Sequence, residues 1–189
     1  DCGPGWMLGD AIRLAKLLEP FNLMWIEDLL TGDYTPWVNA GIYRELTRTS
    51  TTPIHTGEQI YLRQNFKELI ETQAVHVVGP DPADVGGIAE LKWIAEYADL
   101  HGITMAPHGT ANGVLGLGAL VQVSATLPNN FIAFEYTHGD PDWWNDIVDG
   151  LPPVENGMIA VPDRPGMGVE IVPERAQRYL GPEDQDFFR

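Results

Sequence analysis

The sequence predicts an α/β protein in which parallel strands alternate with helices, in the manner of a (β/α) barrel. Short apolar runs recur along the chain, and each ends on a residue able to bind a cation or move a proton. Successive end positions are 26, 31, 23, 27 and 27 residues apart, close to the ≈ 30 residues of one βαβ unit. Asp1 opens the series with no run before it, and the runs end on Glu27, Glu58, Asp81, His108 and Glu135, which makes six positions in all.

The carboxyl ends of parallel barrel strands meet at one mouth, which holds the active site in enzymes of this architecture. We therefore expect the six side chains to gather there. A closed barrel needs eight strands, and six alone would leave two exposed edges that invite aggregation. We expect the chain to be a piece of a longer protein that supplies at least two further strands before Asp1. The rival interpretation is an open doubly wound sheet.

Helical signals lie between the predicted strands. Asp10 is a candidate N-cap for a first helix with apolar residues at 11, 14, 15 and 18. A short apolar strand over 23–26, buried on both faces, and a loop over 31–36 follow. Further helices are predicted over 37–46 and 64–71, and a clearer one runs from Ile88 to a stop at His101-Gly102. The last predicted helix begins with the small residues at 109–113.

Composition limits the choice of partners and compartment. The chain has 189 residues, 44% of them hydrophobic, which supports a packed core in one large domain or in part of a bigger one. A net charge of −16 and a pI of about 4.4 argue against nucleic acid or an anionic membrane as partner. No apolar run reaches ~18 residues, so no spanning helix is expected. Cys2 is the only cysteine, which excludes an internal disulfide and fits a reducing, cytoplasmic location.

The periodic pattern fades after the last strand end. We expect residues 1–140 to form the carboxyl-terminal part of a barrel that carries the metal and acid/base residues. Residues 141–189, with Trp143-Trp144 and several Pro and Gly pairs, are predicted to form an irregular closing tail. This tail is expected to cover something rather than to add further βα units.

Asp1, Glu27 and Glu58 lie at three consecutive strand ends. Adjacent strands are ≈ 4.8 Å apart, so three carboxylates there would surround one point. Like charges that close repel unless a cation lies among them, and Mg²⁺ with open water positions suits such oxygen ligands. For any single acid, an ordinary ion pair or a helix cap is the simpler explanation. For three in register, a Mg²⁺ site is the better one.

Asp81 and His108 end the next two strands. A neutral imidazole is a good base near pH 7, and a carboxylate on its other nitrogen fixes the tautomer and stabilises the imidazolium. A lone histidine would more often be structural, but Asp81 on the neighbouring strand favours an acid/base dyad. Glu135 could hydrogen-bond a substrate or its enolate, or balance charge.

Other candidate residues are weaker. His55 and His76 lie inside apolar strands and are predicted to be core histidines. His138 follows the last strand end and could touch a substrate, whereas Trp143-Trp144 is expected to pack the tail. The sequence has no H-x-H pair and no H-E-x-x-H, which disfavours a hydrolytic zinc barrel.

The residues around these ends resemble the enolase superfamily, in its mandelate racemase subgroup. The likeness runs from Asp1 to about Tyr136, and the set in this order is specific although no single piece is. Its pieces are Trp25-Ile26-Glu27-Asp28, Thr56-Gly57-Glu58, Gly79-Pro80-Asp81 with Val85-Gly86-Gly87-Ile88, Ala106-Pro107-His108-Gly109 and Phe134-Glu135-Tyr136.

The resemblance implies a TIM-type (β/α)7β barrel, incomplete here because the amino-terminal capping domain and first strands of that family are missing from the sequence. The tail is then expected to pack on the capping domain. Asp1, Glu27 and Glu58 match the family's Mg²⁺ ligands. Asp81 and His108 match its acid/base dyad, and Glu135 matches the glutamate of the last strand near the substrate. A homo-oligomer is also expected.

In this family the metal and its neighbours stabilise an enediolate formed when the proton α to a carboxylate is removed. We therefore expect a Mg²⁺-dependent lyase that eliminates water from a sugar acid, with His108 as the α-proton base or as the acid for the leaving β-hydroxyl. The alternatives are a racemase or epimerase of a 2-hydroxy acid, which needs a second base, and a non-catalytic barrel remnant. Cycloisomerisation is less favoured, because enzymes of that kind use lysines where this chain has Asp81 and His108.

Overall fold

Four parallel strands form the central sheet of the computed structural model, which describes residues 1–3, 5–30, 38–109, 113–136 and 142–188. The register places Glu27 opposite His55 and Thr56 opposite Val78. Neighbours in the sheet are also neighbours along the chain. The strands are β1 (Ile26–Glu27), β2 (Ile54–Thr56), β3 (Val77–Val78) and β4 (Thr104–Met105).

Single parallel bridges extend the sheet on both sides. Trp6 pairs with Leu30 beside β1, and Phe131 pairs with Met105 beside β4. A doubly wound sheet reverses its strand order at a switch point, whereas the order across the described strands follows the chain throughout. The prediction of an incomplete barrel arc is therefore confirmed, and the doubly wound alternative is wrong.

A helix follows each strand and covers the outside of the sheet. Their apolar faces and the strands enclose one main core, in which Tyr43, Phe66 and Leu91 are almost completely buried. This core fixes the strand ends against each other because close-packed interiors resist displacement. The helices are α1 (Leu8–Leu18), α2 (Ala40–Thr49), α3 (Arg63–Glu71), α4 (Ile88–Leu100) and α5 (Gly113–Ser124), with a short 3₁₀ turn at Glu19–Phe21.

Two local predictions are wrong. Asp10 is not the N-cap of α1: Met7 takes that position, and Asp10 lies in the first turn, where it pairs with Arg13. Its charge still favours the helix, because the amino end of a helix dipole is positive. The strand predicted over 23–26 begins only at Ile26, and Met24 is 71% exposed.

The segment after residue 141 contains more regular structure than the sequence suggests. β5 pairs with β8, and β6 pairs with β7 through the turn Asn156-Gly157, in which both residues have positive φ (53° and 74°). Asn-Gly is the preferred pair for such a two-residue turn. The elements are α6 (Asp142–Asp146), β5 (Val148–Asp149), β6 (Val154–Glu155), β7 (Met158–Ile159), β8 (Glu170–Ile171) and α7 (Pro173–Ala176), with 3₁₀ turns at Gln177–Tyr179 and Pro182–Asp184.

This segment packs on α5. Val148 and Val169 contact Val114, and Ile159 lies against the cluster formed by Leu117 and its neighbours. The contacts attach the segment to the barrel arc itself. Packing on a capping domain stays a prediction.

Some expectations concern residues outside the described ranges, namely the loop over 31–36, most of the small-residue opening of α5, and His138. Among the helices that the structure describes, none combines the length and the apolar character needed to cross a membrane.

Candidate active site

Glu27 and Glu58 reach the same end of the sheet from neighbouring strands. Glu27 is the last residue of β1, and Glu58 follows β2 after one glycine. That glycine, Gly57, has φ +146°, and a Cβ there would lie 2.9 Å from the backbone of Gly79. The missing side chain therefore lets β2 and β3 approach each other just below Glu58.

A third carboxylate joins this pair. Carboxylate oxygens of Glu27, Asp28 and Glu58 all lie within 4.8 Å of one another. Asp28 is completely buried and has φ 47°, in the left-handed region. Asp tolerates this conformation better than most residues. The turn of the backbone brings Asp28 to the group although it directly follows Glu27.

Asp28 is held by a buried chain of hydroxyl groups. The Thr56 hydroxyl donates to Asp28 Oδ1 at 2.7 Å, and the Tyr43 hydroxyl lies 3.0 Å from the Thr56 oxygen. Because Thr56 uses its one hydrogen on Asp28, Tyr43 donates to Thr56. The chain links α2, β2 and the end of β1, and it fixes the position of this carboxylate.

The backbone of Asp1 lies at the mouth, as predicted, but its side chain points away from the other carboxylates. The Cys2 backbone N–H donates to the Glu27 carbonyl at 3.1 Å, which places the chain start beside the end of β1. The Asp1 Oδ1 atom instead accepts from the Gly3 N–H at 2.7 Å. Among the described residues, Asp1 belongs to neither close group of candidate ligands. Its role as a ligand stays a prediction.

His108 and Asp81 form a close pair across β3 and β4. His108 Nδ1 lies 2.7 Å from Asp81 Oδ2, and Asp81 Oδ1 accepts from the Ala83 N–H at 2.7 Å. Since a carboxylate only accepts, Nδ1 carries the hydrogen. Asp81 is 1% exposed and His108 is 11% exposed. The pair therefore has the geometry of a dyad in which the carboxylate orients the imidazole.

The other nitrogen of His108 points at two carboxylates. Nε2 lies 3.1 Å from Glu58 Oε2 and 3.4 Å from Glu135 Oε2. Burial alone would lower the pKa of His108, but the hydrogen bond with Asp81 and the charges of Glu58 and Glu135 raise it above the usual value. Burial raises the pKa of Glu135, and the nearby Glu27 and Glu58 raise it further.

Five of the six predicted strand-end residues therefore meet at one mouth, around Glu58. Sequence reasoning missed Asp28 as a member. Consecutive side chains of a strand point to opposite faces. The strand pattern therefore predicts that Glu27 faces the site and that Asp28 faces away from it. The only signal is that Asp tolerates left-handed backbone at the end of a strand.

The two further histidines differ from each other. His55 is 1% exposed, as predicted for a core histidine. His76 is exposed, which corrects the prediction of a core position. It precedes β3, where its Nδ1 accepts from the Ile54 N–H at 3.1 Å. The apolar run around His76 misled the prediction, because only Val77 and Val78 of that run form the strand.

The residues present fit a hard divalent cation. Mg²⁺ binds oxygens at 2.0–2.1 Å in octahedral geometry, so two ligand oxygens lie roughly 3 to 4 Å apart. The group of Glu27, Asp28 and Glu58 is close to that spacing, and its ligands are all carboxylates. Glu27 is 13% exposed and Glu58 15%, which leaves access for water and substrate. A cation would also relieve the repulsion between these charges.

Asp81→Asn is expected to lower the pKa of His108, since it removes the carboxylate that stabilises the imidazolium. A histidine whose pKa is raised by folding stabilises the protein fully below about pH 6.5. That stabilisation is lost as the pH rises through the raised pKa. The free energy of unfolding should therefore differ most between wild type and variant at low pH, and the difference should shrink at higher pH.

The pKa of His108 in metal-free protein can be followed by NMR, and the free energy of unfolding by urea titration at several pH values. Glu68→Gln is the control, because it removes one carboxylate charge on the exposed face of α3 and should leave the His108 pKa unchanged. An unchanged His108 pKa in Asp81→Asn would contradict the role of Asp81.

These features define an acid/base site beside a carboxylate cluster at the mouth of a barrel. The sequence profile of the enolase C-terminal domain-like family matches residues 1–176. The chain therefore belongs to the enolase C-terminal domain-like family.

Individual relatives agree with this assignment. The chain is 35% identical over 180 residues to D-xylonate dehydratase of Haloferax volcanii. The aligned region covers 95% of this chain and 42% of that protein. The structure of a mandelate racemase/muconate lactonizing enzyme-like protein from Rubrobacter xylanophilus matches with a TM-score of 0.84 and 34% identity, over 96% of this chain and 44% of that one.

An enolase from Pantoea ananatis, solved with bound D-gluconate and Mg, matches with a TM-score of 0.80 and 28% identity. The match covers 91% of this chain and 40% of that chain. The present chain thus spans less than half the length of each of these relatives.

Proposed function

We propose that this chain carries the catalytic residues of a Mg²⁺-dependent dehydratase of sugar acids. The observation that carries the proposal is the position of His108, whose Nε2 lies 3.1 Å from Glu58 while its Nδ1 is held by Asp81. An oriented base stands directly beside a candidate metal ligand. The dehydratase from Haloferax volcanii and the gluconate-bound enolase from Pantoea ananatis support the substrate class.

Glu27 and Glu58 would hold Mg²⁺, with Asp1 as the third ligand expected from the family and Asp28 beside them. The cation would supply positive charge next to the substrate carboxylate, where negative charge develops as the α-proton leaves. The chain's own groups then move the protons.

His108 performs one of the two proton transfers of the elimination. As the base, its Nε2 accepts the α-proton, and Asp81 stabilises the resulting imidazolium through Nδ1–H. As the acid, the imidazolium gives its proton to the β-hydroxyl, which leaves as water. Glu135, with its raised pKa, keeps a proton to higher pH than an ordinary glutamate and can hydrogen-bond the developing enediolate.

The test is to incubate full-length protein and Mg²⁺ with D-xylonate or D-gluconate in D₂O and to follow the reaction by ¹H NMR. Loss of the β-hydroxyl to give a 2-keto product is expected, and the same sample with a chelator should give none. Exchange of the α-proton with inversion, and without loss of the hydroxyl, would indicate a racemase or epimerase. The absence of exchange across a library of sugar acids would indicate a non-catalytic remnant.

Three further expectations stay predictions: assembly as a homo-oligomer, a cytoplasmic location, and packing of residues 141–189 on a capping domain.

A further inference from the structure

We propose that Trp25 is a positioning residue that orients the Glu27 carboxylate for the cation. The inference rests on the proposed Mg²⁺ site. The Trp25 indole Nε1–H donates to Glu27 Oε2 at 2.8 Å. Trp25 lies one residue before β1, and residues two apart in extended backbone point to the same face, which brings the indole to the Glu27 carboxylate. Trp25 touches the candidate ligand and stands outside the carboxylate group itself.

His55 stacks on the indole and holds it in place. The two rings stack with centroids 5.3 Å apart and an interplanar angle of 19°. His55 Nε2 lies 2.9 Å from the Ala106 carbonyl oxygen, and because a carbonyl only accepts, Nε2 carries a hydrogen. The ring is therefore tied to the strand that leads to His108. Its Nδ1 lies 3.3 Å from the other carboxylate oxygen of Glu27.

Gly79 leaves room for the His55 ring because it has no side chain. A Cβ at Gly79 would overlap the His55 ring and would lie 2.7 Å from the Ala106 carbonyl oxygen. Any side chain there would push His55 away from both Ala106 and Trp25. The bare backbone just after β3 therefore lies directly beside the His55 ring.

The arrangement matters because a glutamate has three freely rotating side-chain bonds and, in this group, two repelling neighbours. A donor on Oε2 holds the carboxylate in place and partly offsets its charge, which leaves the group close to the spacing that a cation needs. Partners that orient a metal ligand are typically worth about 10- to 100-fold in metal affinity or activity. Trp25 supplies such a donor without any ionisable group.

The test is Trp25→Phe in the full-length protein, which keeps an aromatic ring for stacking and removes the N–H donor. We expect the affinity for Mg²⁺, measured by calorimetry, and for Mn²⁺, measured by EPR of the free ion, to fall by about 10- to 100-fold. The thermal unfolding midpoint of the metal-free protein should stay close to that of wild type. Trp93→Phe is the matched control: Trp93 is also partly buried and stacks on Tyr97 at 4.9 Å, on α4, and its change should leave both affinities unaltered.

His55→Asn provides a second variant, because it removes both the ring that stacks on Trp25 and the contact of Nδ1 with Glu27, and it should weaken cation binding in the same direction. If Trp25→Phe unfolds the protein, replacement of Trp25 by the isosteric benzothienylalanine removes only the N–H, and the same loss is expected. Unchanged cation affinity in a folded Trp25 variant would overturn the inference.

Failure of the proposed function can be distinguished from failure of this inference. If wild-type protein binds Mg²⁺ but converts no sugar acid, the dehydratase proposal fails. The role of Trp25 is then decided by the Mg²⁺ affinities of wild type and Trp25→Phe. If wild type is active and Trp25→Phe binds Mg²⁺ equally well, only the inference fails. Wild-type protein that binds no divalent cation would overturn both.

Discussion

Replacing His108 with asparagine is expected to lower turnover of a sugar acid by about 10²- to 10⁴-fold, the usual contribution of a general base or acid. Asparagine can still hydrogen-bond Asp81 but cannot take up or release a proton near pH 7. His108 Nε2 is the imidazole nitrogen that faces Glu58 and Glu135, so the substitution removes the proton-transfer group at this position. Mg²⁺ affinity should stay nearly intact, because the proposed cation ligands are carboxylates.

The measurement is α-proton exchange and 2-keto product formation in D₂O, together with Mg²⁺ titration of the same samples. His101→Asn is the matched control. His101 lies at the end of α4, where its Nδ1 contacts the Tyr97 carbonyl at 2.9 Å, and its replacement should leave the rate unchanged. A His108→Asn enzyme with full rate would refute the role assigned to this residue.

Glu58→Gln is expected to weaken Mg²⁺ binding by at least about 100-fold, since it removes a charged ligand rather than a partner of one, and even partners are worth 10- to 100-fold. The amide has nearly the same shape as the carboxylate, so the change tests charge and not packing. Glu58 belongs to both close groups of candidate ligands, with Glu27 and Asp28 on one side and with His108 and Glu135 on the other.

Calorimetric titration with Mg²⁺ and EPR with Mn²⁺ measure this loss directly. Glu68→Gln on the exposed face of α3 carries the same chemical change away from the mouth and should bind the cation like wild type. A Glu58→Gln protein with an unchanged Mg²⁺ titration would remove Glu58 from the ligand set.

The barrel arc could be predicted because strand and helix units repeat with nearly constant length. Regular spacing from Glu27 to Glu135 fixes the order of the ends, and parallel pairing then brings them to one edge. The contact between His108 and Asp81 follows from this register alone.

The remaining features depend on local backbone angles, which spacing does not determine. The positive φ of Asp28 turns its carboxylate toward Glu27 and Glu58. The carboxylate of Asp1 instead accepts a hydrogen bond from the Gly3 N–H and lies apart from them. His76 directly precedes β3, and its side chain is exposed between two buried valines. The tail strands were not predicted because they lie beyond the last regularly spaced apolar run, where spacing gives no signal for a strand.

The left-handed backbone at residue 28 has a consequence for how this position can vary as related sequences diverge. Branched or bulky residues are disfavoured there by sterics, and glycine would fit the angle but would give up the charge that Thr56 contacts. Aspartate satisfies both demands, whereas asparagine tolerates the angle but gives up the charge. Substitution at this site should therefore be rarer than its absence from the six strand-end positions suggests.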